Sequence, residues 1–215
     1  MRLPATQALA MAMAMAMTLA LAAGCAHRPP PPAPSALPAP AAAELPPPDR
    51  IPGDLTLRQK LTATSAHGGG SFETILQKRP GMLRVLGLTP FGTRAFLLEQ
   101  RADKVDFTRY IPHELPFPPT FMLLDIHRVF DRWLDAPPPT DGERSGIVAG
   151  QRISERWQSG RLRQRVFSST PGASPGAVTI TYDGEIAPGV AADVVLANDR
   201  FGYRLQIHNL PAAGN

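Results

Sequence analysis

Residues 54–66 read DLTLRQKLTATSA, and their alternation decides the fold class. Leu55, Leu57, Leu61 and Ala63 fall on one side of an extended chain, and Thr56, Arg58, Lys60, Thr62 and Thr64 on the other. A period of two predicts a half-buried antiparallel strand. The same grammar continues outward. Gly68-Gly69-Gly70 is expected to let the chain reverse. Ser71 to Lys78 reads as a second strand, and Pro80-Gly81 as a turn. Met82 to Leu88 is a third strand, and Thr89-Pro90-Phe91-Gly92 the next turn. Thr93 to Arg101 and Lys104 to Tyr110 follow as two more strands.

Pro-rich sequence from Pro112 to Pro119 ends this run, and Thr120 to Leu134 takes up helical spacing. Phe121, Leu124 and Val129, with Met122, Ile126, Phe130, Trp133 and Leu134, form a wide apolar stripe. Asp125, Arg128, Asp131 and Arg132 are expected on the solvent side. Pro137-Pro138-Pro139 stops the helix. Strand signals then resume at Ile147 to Trp157, Arg161 to Ser168, Ala177 to Tyr182, Asp193 to Ala197 and Gly202 to Asn209. There is no strand–helix–strand alternation. The expected fold is mainly β: an open antiparallel half-barrel of about ten to eleven strands, with a central helix on the concave side.

The composition is segregated along the chain. All the aromatic residues lie at or after Phe72, five of the seven Met lie in the first 17 residues, and ten of the 25 Pro fall between Pro29 and Pro48. Three parts result: 1–24 as an export signal, 25–50 as a linker and 51–211 as the folded domain, with 212–215 as a tail. About 160 residues suffice for one domain with a sizeable core, which excludes both a large multidomain enzyme and a fully disordered chain. A single Cys excludes a disulfide scaffold and a multi-Cys zinc site.

Arg2 precedes an uncharged stretch from Ala5 to Ala23 that is mostly Ala, Met and Leu, as in a secretory signal peptide. Leu21-Ala22-Ala23-Gly24-Cys25 resembles a bacterial lipobox. That resemblance implies cleavage before Cys25 and acylation, palmitate-type chains included, of its thiol and new amino group. It departs from the commonest form in having Ala where Leu is usual, three residues before the Cys. Several acyl chains give a stable anchor, since each buried CH₂ contributes about 0.8 kcal/mol. Ala26 follows Cys25 in place of the Asp that marks inner-membrane retention in enterobacterial lipoproteins. The resemblance therefore implies an outer-membrane lipoprotein facing the periplasm. Residues 26–50, AHRPPPPAPSALPAPAAAELPPPDR, read as a polyproline-type tether. At ~3.1 Å per residue it reaches up to ~75 Å.

The order of elements in residues 54–209 resembles the LolA/LolB family of bacterial lipoprotein carriers and receptors. It resembles more closely a group of uncharacterised lipoproteins of similar shape. Leu88-Thr89-Pro90-Phe91-Gly92-Thr93, Leu123-Leu124-Asp125-Ile126, and the closing segments Ile180-Thr181-Tyr182 and Phe201 to Ile207 carry the likeness. The helix segment departs from LolB. The resemblance implies an incomplete barrel around a hydrophobic cavity that holds an acyl group. Here Leu55, Leu57, Leu61, Ile126, Phe130, Trp133, Ile153, Trp157, Leu162, Val166, Val178, Ile180, Tyr182, Leu205 and Ile207 would line it. The alternative is that they pack a dry core. In LolB a loop between two strands carries an apolar residue that inserts into the membrane. The matching loop here is Leu88, Pro90, Phe91 and Gly92, with Phe91 at the tip. Phe91 could equally fold back onto the sheet edge.

Other chemistry is sparse. His113-Glu114 and Asp125 with His127 are the close His/carboxylate pairs, and neither has a third ligand at metal spacing. Asp125 and His127 diverge on a helix, and solvated surface positions are expected for both. No nucleophile elbow, phosphate loop or zinc-helix motif is present, so the reading is non-enzymatic, with no cofactor or metal. Arg161, Arg163 and Arg165 alternate with Leu162 and Val166, suggesting a basic outer strand face joined by Arg152 and Arg156. Two readings follow. One is a lipid-anchored protein that binds or transfers an acylated ligand, a lipid or lipoprotein. The other is an assembly or scaffold lipoprotein that binds an envelope protein. Nucleic acid is not an expected partner in that compartment.

Overall fold

The computed structural model describes residues 44–66, 68–112, 118–169 and 176–211. Cys25, the export signal, most of the linker and the His113-Glu114 pair lie outside these residues. Among the described residues the chain forms eleven strands and one α-helix. The first group is β1 (Leu55–Ser65), β2 (Gly68–Arg79), β3 (Met82–Leu88), β4 (Arg94–Arg101) and β5 (Lys104–Arg109). Helix α1 (Pro119–Phe130) follows. The second group is β6 (Gly142–Val148), β7 (Gln151–Gln158), β8 (Arg161–Ser169), β9 (Ala177–Asp183), β10 (Asp193–Asn198) and β11 (Tyr203–Pro211).

The strands make one sheet in the order β5-β4-β3-β2-β1-β11-β10-β9-β8-β7-β6. Every pairing is antiparallel. Two meanders therefore meet where β1 pairs with β11, Leu61 opposite Ile207. The outer strands β5 and β6 are the two sheet edges, so the sheet is open, as expected. The chain crosses from one edge to the other through α1, which places the helix against the inner face of both halves.

That inner face carries two apolar clusters. Leu57, Leu76, Leu83, Val85, Phe96 and Leu98 pack with Leu123 of α1. Leu61, Ile153, Phe167, Val178, Ile180, Val194, Leu196 and Ile207 pack with Val129, Trp133 and Leu134. Between them β1 turns a polar residue inward. Gln59 is buried between Leu57 and Leu61, and its Nε2 donates to Asn209 Oδ1 at 2.8 Å. Thr74 donates to Gln59 Oε1 at 3.2 Å, and Asn209 donates to the Ala191 carbonyl at 2.9 Å. These bonds satisfy polar groups that burial would otherwise penalise, so the core stays close-packed across the seam.

Four expectations change. The Gly68–Gly70 run lies inside β2, and the reversal comes before it, with Ser65 registered opposite Gly68. Close approach explains Gly69, where a Cβ would sit 2.5 Å from the Ala63 carbonyl oxygen. The segment Ile147 to Trp157 is two strands, because Ala149 and Gly150 both take positive φ (49° and 74°) and close a two-residue hairpin. The helix ends at Phe130, and Asp131 is already extended at ψ 154°. Leaving the helix there lets Trp133 and Leu134 bury together, and the Trp133 indole N–H caps the His127 carbonyl at 3.0 Å. Finally, Leu45 and Pro48 are buried against the domain, so packing begins within the segment read as linker.

Candidate functional site

The bulge on β8 re-phases one wall of the sheet. Register shifts between Arg156 and Trp157 of β7, so that Trp157 pairs with Leu162 while Arg156 pairs with Gln164. Arg163 is the extra residue. Ile153, Glu155 and Trp157 of β7 face inward together with Leu162, Arg165 and Phe167 of β8. The expected uniform basic face of Arg161, Arg163 and Arg165 is therefore incorrect. Arg165 is turned into the core, with its side chain 5% exposed.

Arg165 meets a full set of partners there. Its Nε donates to Glu155 Oε1 at 2.8 Å, and Glu155 is fully buried. Arg144 of β6 holds the other carboxylate oxygen, with Nε 2.7 Å from Oε2. The Trp157 indole N–H donates to the same oxygen at 3.2 Å, and the Arg144 guanidinium lies 5.3 Å above the Trp157 ring. Arg165 Nη1 also donates to the carbonyls of Arg128, at 2.6 Å, and Val129, at 3.3 Å. Tyr182 donates its hydroxyl to the Val129 carbonyl at 3.1 Å. These carbonyls end α1 without helical partners, so a cation and a hydroxyl from the sheet complete the helix terminus. Burial pushes the Tyr182 phenol up to about 12, partly offset by Arg165.

A cavity of about 450 Å³ opens beside this cluster. Val129, Phe130 and Leu134 form the helix-side wall, and Trp157, Leu162, Tyr182, Val190, Ala191 and Val194 the sheet side. Arg144 and Arg165 line its less exposed part, with side chains 13% and 5% exposed; Arg161 and Glu185, paired at 2.7 Å, are more exposed. The volume falls in the ~300–1,000 Å³ range of small-molecule sites.

The expected lining residues divide between cavity and core. Phe130, Trp157, Leu162 and Tyr182 border the cavity. Leu57, Leu61, Trp133, Ile153, Val178, Ile180 and Ile207 are buried in the two clusters. Leu55, Ile126 and Leu205 are partly buried against those clusters, and Val166 is half-buried.

The helix polar residues are not solvated. Asp125 is buried and accepts from Tyr203 and from Arg128 Nη1 at 3.0 Å, and burial raises its pKa. His127 is fully buried, with Nε2 2.8 Å from Gln100 Oε1. Burial, with Arg50 nearby, lowers its pKa to about 4. Asp131 has a fully buried side chain 3.2 Å from Arg50 Nε and 3.9 Å from His127 Nδ1. Burial raises it to about 6 against the pull of Arg50 and Arg165. Asp125 and His127 diverge, one toward β11 and the other toward β4. No metal-holding group of His, Cys, Asp and Glu occurs among the described residues.

The β3–β4 loop presents Phe91 at 93% exposure. Its base is tied by Thr89 and Thr93, whose hydroxyls lie 2.8 Å apart, and by Gly92 N donating to the Thr89 carbonyl at 2.9 Å. Gly92 takes φ 76°, which glycine adopts without strain. Leu88, Thr89, Pro90 and Gly92 border an open groove with Arg58, Lys60 and Glu73. Among the described residues no helix is long and apolar enough to cross a membrane.

Sequence reasoning does not single out Glu155 or Arg144, and it puts Arg165 on the solvent face. Glu155 carried a readable signal, an acid between Ile153 and Trp157 on an apolar face. Arg165 did not, because its phase depends on the bulge.

A family model described as "Protein of unknown function (DUF3261)" matches residues 56–211. No curated protein matches the chain. Among solved structures, a LolA superfamily protein from Nitrosomonas europaea is similar over 84% of this chain and 96% of its own, at 10% identity and a TM-score of 0.41. A domain from Vibrio parahaemolyticus, described as an outer membrane lipoprotein-sorting protein, is similar over 74% of this chain and 85% of its own. Its identity is 14% and its TM-score 0.35.

Proposed function

We propose that this chain, which belongs to the DUF3261 family of proteins of unknown function, is a non-enzymatic carrier or receptor for an acylated ligand. The observation that carries this reading is the cavity of about 450 Å³ between the end of α1 and β7–β10, walled by Phe130, Trp157, Leu162 and Val194. An acyl chain entering it would exchange water for apolar surface, at about 25 cal/mol per Å² buried. The lipobox ending at Cys25 supports a lipid anchor in the outer membrane, with the domain on the periplasmic side. Phe91 supports a second contact with lipid, since a bare aromatic at a rigid loop tip suits a membrane interface.

The test is titration of the protein, stripped of bound lipid, with a fluorescent fatty-acyl probe. Saturable binding that is lost in Leu162→Trp, with the fold retained, supports the reading. A wild-type protein that binds no probe sinks it. One observation favours the assembly reading instead: Ile147 is 62% exposed on the edge strand β6. Site-specific crosslinking from residue 147 to an envelope protein would support that reading.

A further inference from the structure

We infer that the less exposed part of the cavity is an anion site, and that its ligand is a single-chain amphiphile with a carboxylate or phosphate head. This rests on the reading that the cavity takes an acyl chain, and it adds the chemistry of the ligand's other end.

Arg144 and Arg165 share one carboxylate, Glu155; Arg165 and Glu155 are buried, with side chains 5% and 0% exposed, and Arg144 is mostly covered at 13%. Two guanidiniums against one carboxylate leave one positive charge in a poorly solvated place. The other charged groups at the cavity do not remove it. Asp131 is engaged by Arg50 at 3.2 Å, and Glu185 by Arg161 at 2.7 Å. Arg132 and Asp135 are exposed, so solvent screens them. The carbonyls of Arg128, Val129 and Ala136 offset this charge only in part, and an arriving anion completes the compensation.

The geometry suits an anion too. Among the described contacts Arg144 uses Nε and Nη2 toward Glu155 and Nη1 toward the Ala136 carbonyl. A guanidinium carries five N–H groups, so two are not used by these contacts. Planar guanidinium groups favour bidentate carboxylate or phosphate oxygens. Leu162, Val190 and Val194 supply apolar wall in the same cavity. A neutral head would leave the extra charge unmet.

The experiment compares tetradecanoate, monotetradecyl phosphate and tetradecanol on the full-length protein, stripped of bound lipid, by calorimetric titration. At least one anion should bind ten-fold or more tighter than the alcohol, and the tighter of the two identifies the head. Arg144→Met should lower that anion's affinity ten-fold or more relative to any change in the alcohol's. Equal binding of anions and alcohol by the wild-type protein overturns the inference while leaving the acyl cavity standing. Arg144→Met weakening all three probes alike also overturns it. Failure of all three probes to bind overturns both readings. The wild-type comparison needs no variant, so it decides even if Arg144→Met does not fold.

Discussion

Arg165 Nη1 lies 2.6 Å from the carbonyl oxygen of Arg128, so a side chain of β8 closes the last turn of α1. The same guanidinium is ion-paired with Glu155 and borders the cavity. The position of the helix, the buried charge cluster and the candidate ligand site are thus one connected structure. Replacing Arg165 with Met should remove the cap and leave helix carbonyls buried without partners. A loss of about 2–4 kcal/mol is expected, read from urea unfolding. Arg165→Lys should recover only part of it, because an ammonium cannot serve Glu155 and two carbonyls in one plane.

His127 and Asp131 should respond to pH in opposite senses. His127 has its folded pKa lowered to about 4 from 6.5, so the unfolded chain binds more protons between those values. Its contribution to stability rises with pH across that window. Asp131 is raised to about 6 from 3.8, so the folded chain binds more protons there, and its contribution falls as pH rises. The two slopes largely cancel in the wild-type protein between about pH 4 and 6.5. Asp131→Asn should uncover a loss of stability on acidification, and His127→Gln a gain, both measured as urea midpoints against pH.

Gly87 tests the packing of the first meander. A Cβ at that position would sit 2.2 Å from the Phe96 ring, inside β3–β4. Gly87→Ala should therefore cost about 1–3 kcal/mol through overpacking. Gly146→Ala should cost less. Its nearest neighbour is the end of the Leu134 side chain at 2.8 Å, which can move.

Phe91 tests membrane contact. With the loop base held by Thr89 and Thr93, Phe91→Ser should leave stability within about 0.5 kcal/mol. Cosedimentation of the Cys25→Ala protein with phosphatidylethanolamine/phosphatidylglycerol vesicles should fall several-fold when Phe91→Ser is added. Unchanged cosedimentation would remove Phe91 from the membrane account.

Most strand positions were legible because alternation is a local property. Residues 54–66 announce β1, and Thr89 to Gly92 announce a hairpin tip. The two-residue hairpin at Ala149-Gly150 was hidden by an apolar pattern that runs through it. Burial of polar groups was less legible. Asp125, His127 and Asp131 look like a solvent face until Tyr203, Gln100 and Arg50 arrive from distant segments. Arg165 was misplaced for a different reason, since one bulged residue inverts the phase of everything after it. The cavity depends on all of these at once, because α1 stops at Phe130 and the chain after it runs extended.

The proposed occupant of the space between α1 and β7–β10 is an acyl chain. A fatty acid carrying a terminal photoreactive diazirine addresses this directly, with adducts mapped by mass spectrometry after irradiation. Saturable labelling is expected at Phe130, Trp157, Leu162 or Val194, competed by unlabelled fatty acid. Labelling confined to the outer sheet face or to Ile147, or no labelling competed by fatty acid, would contradict it.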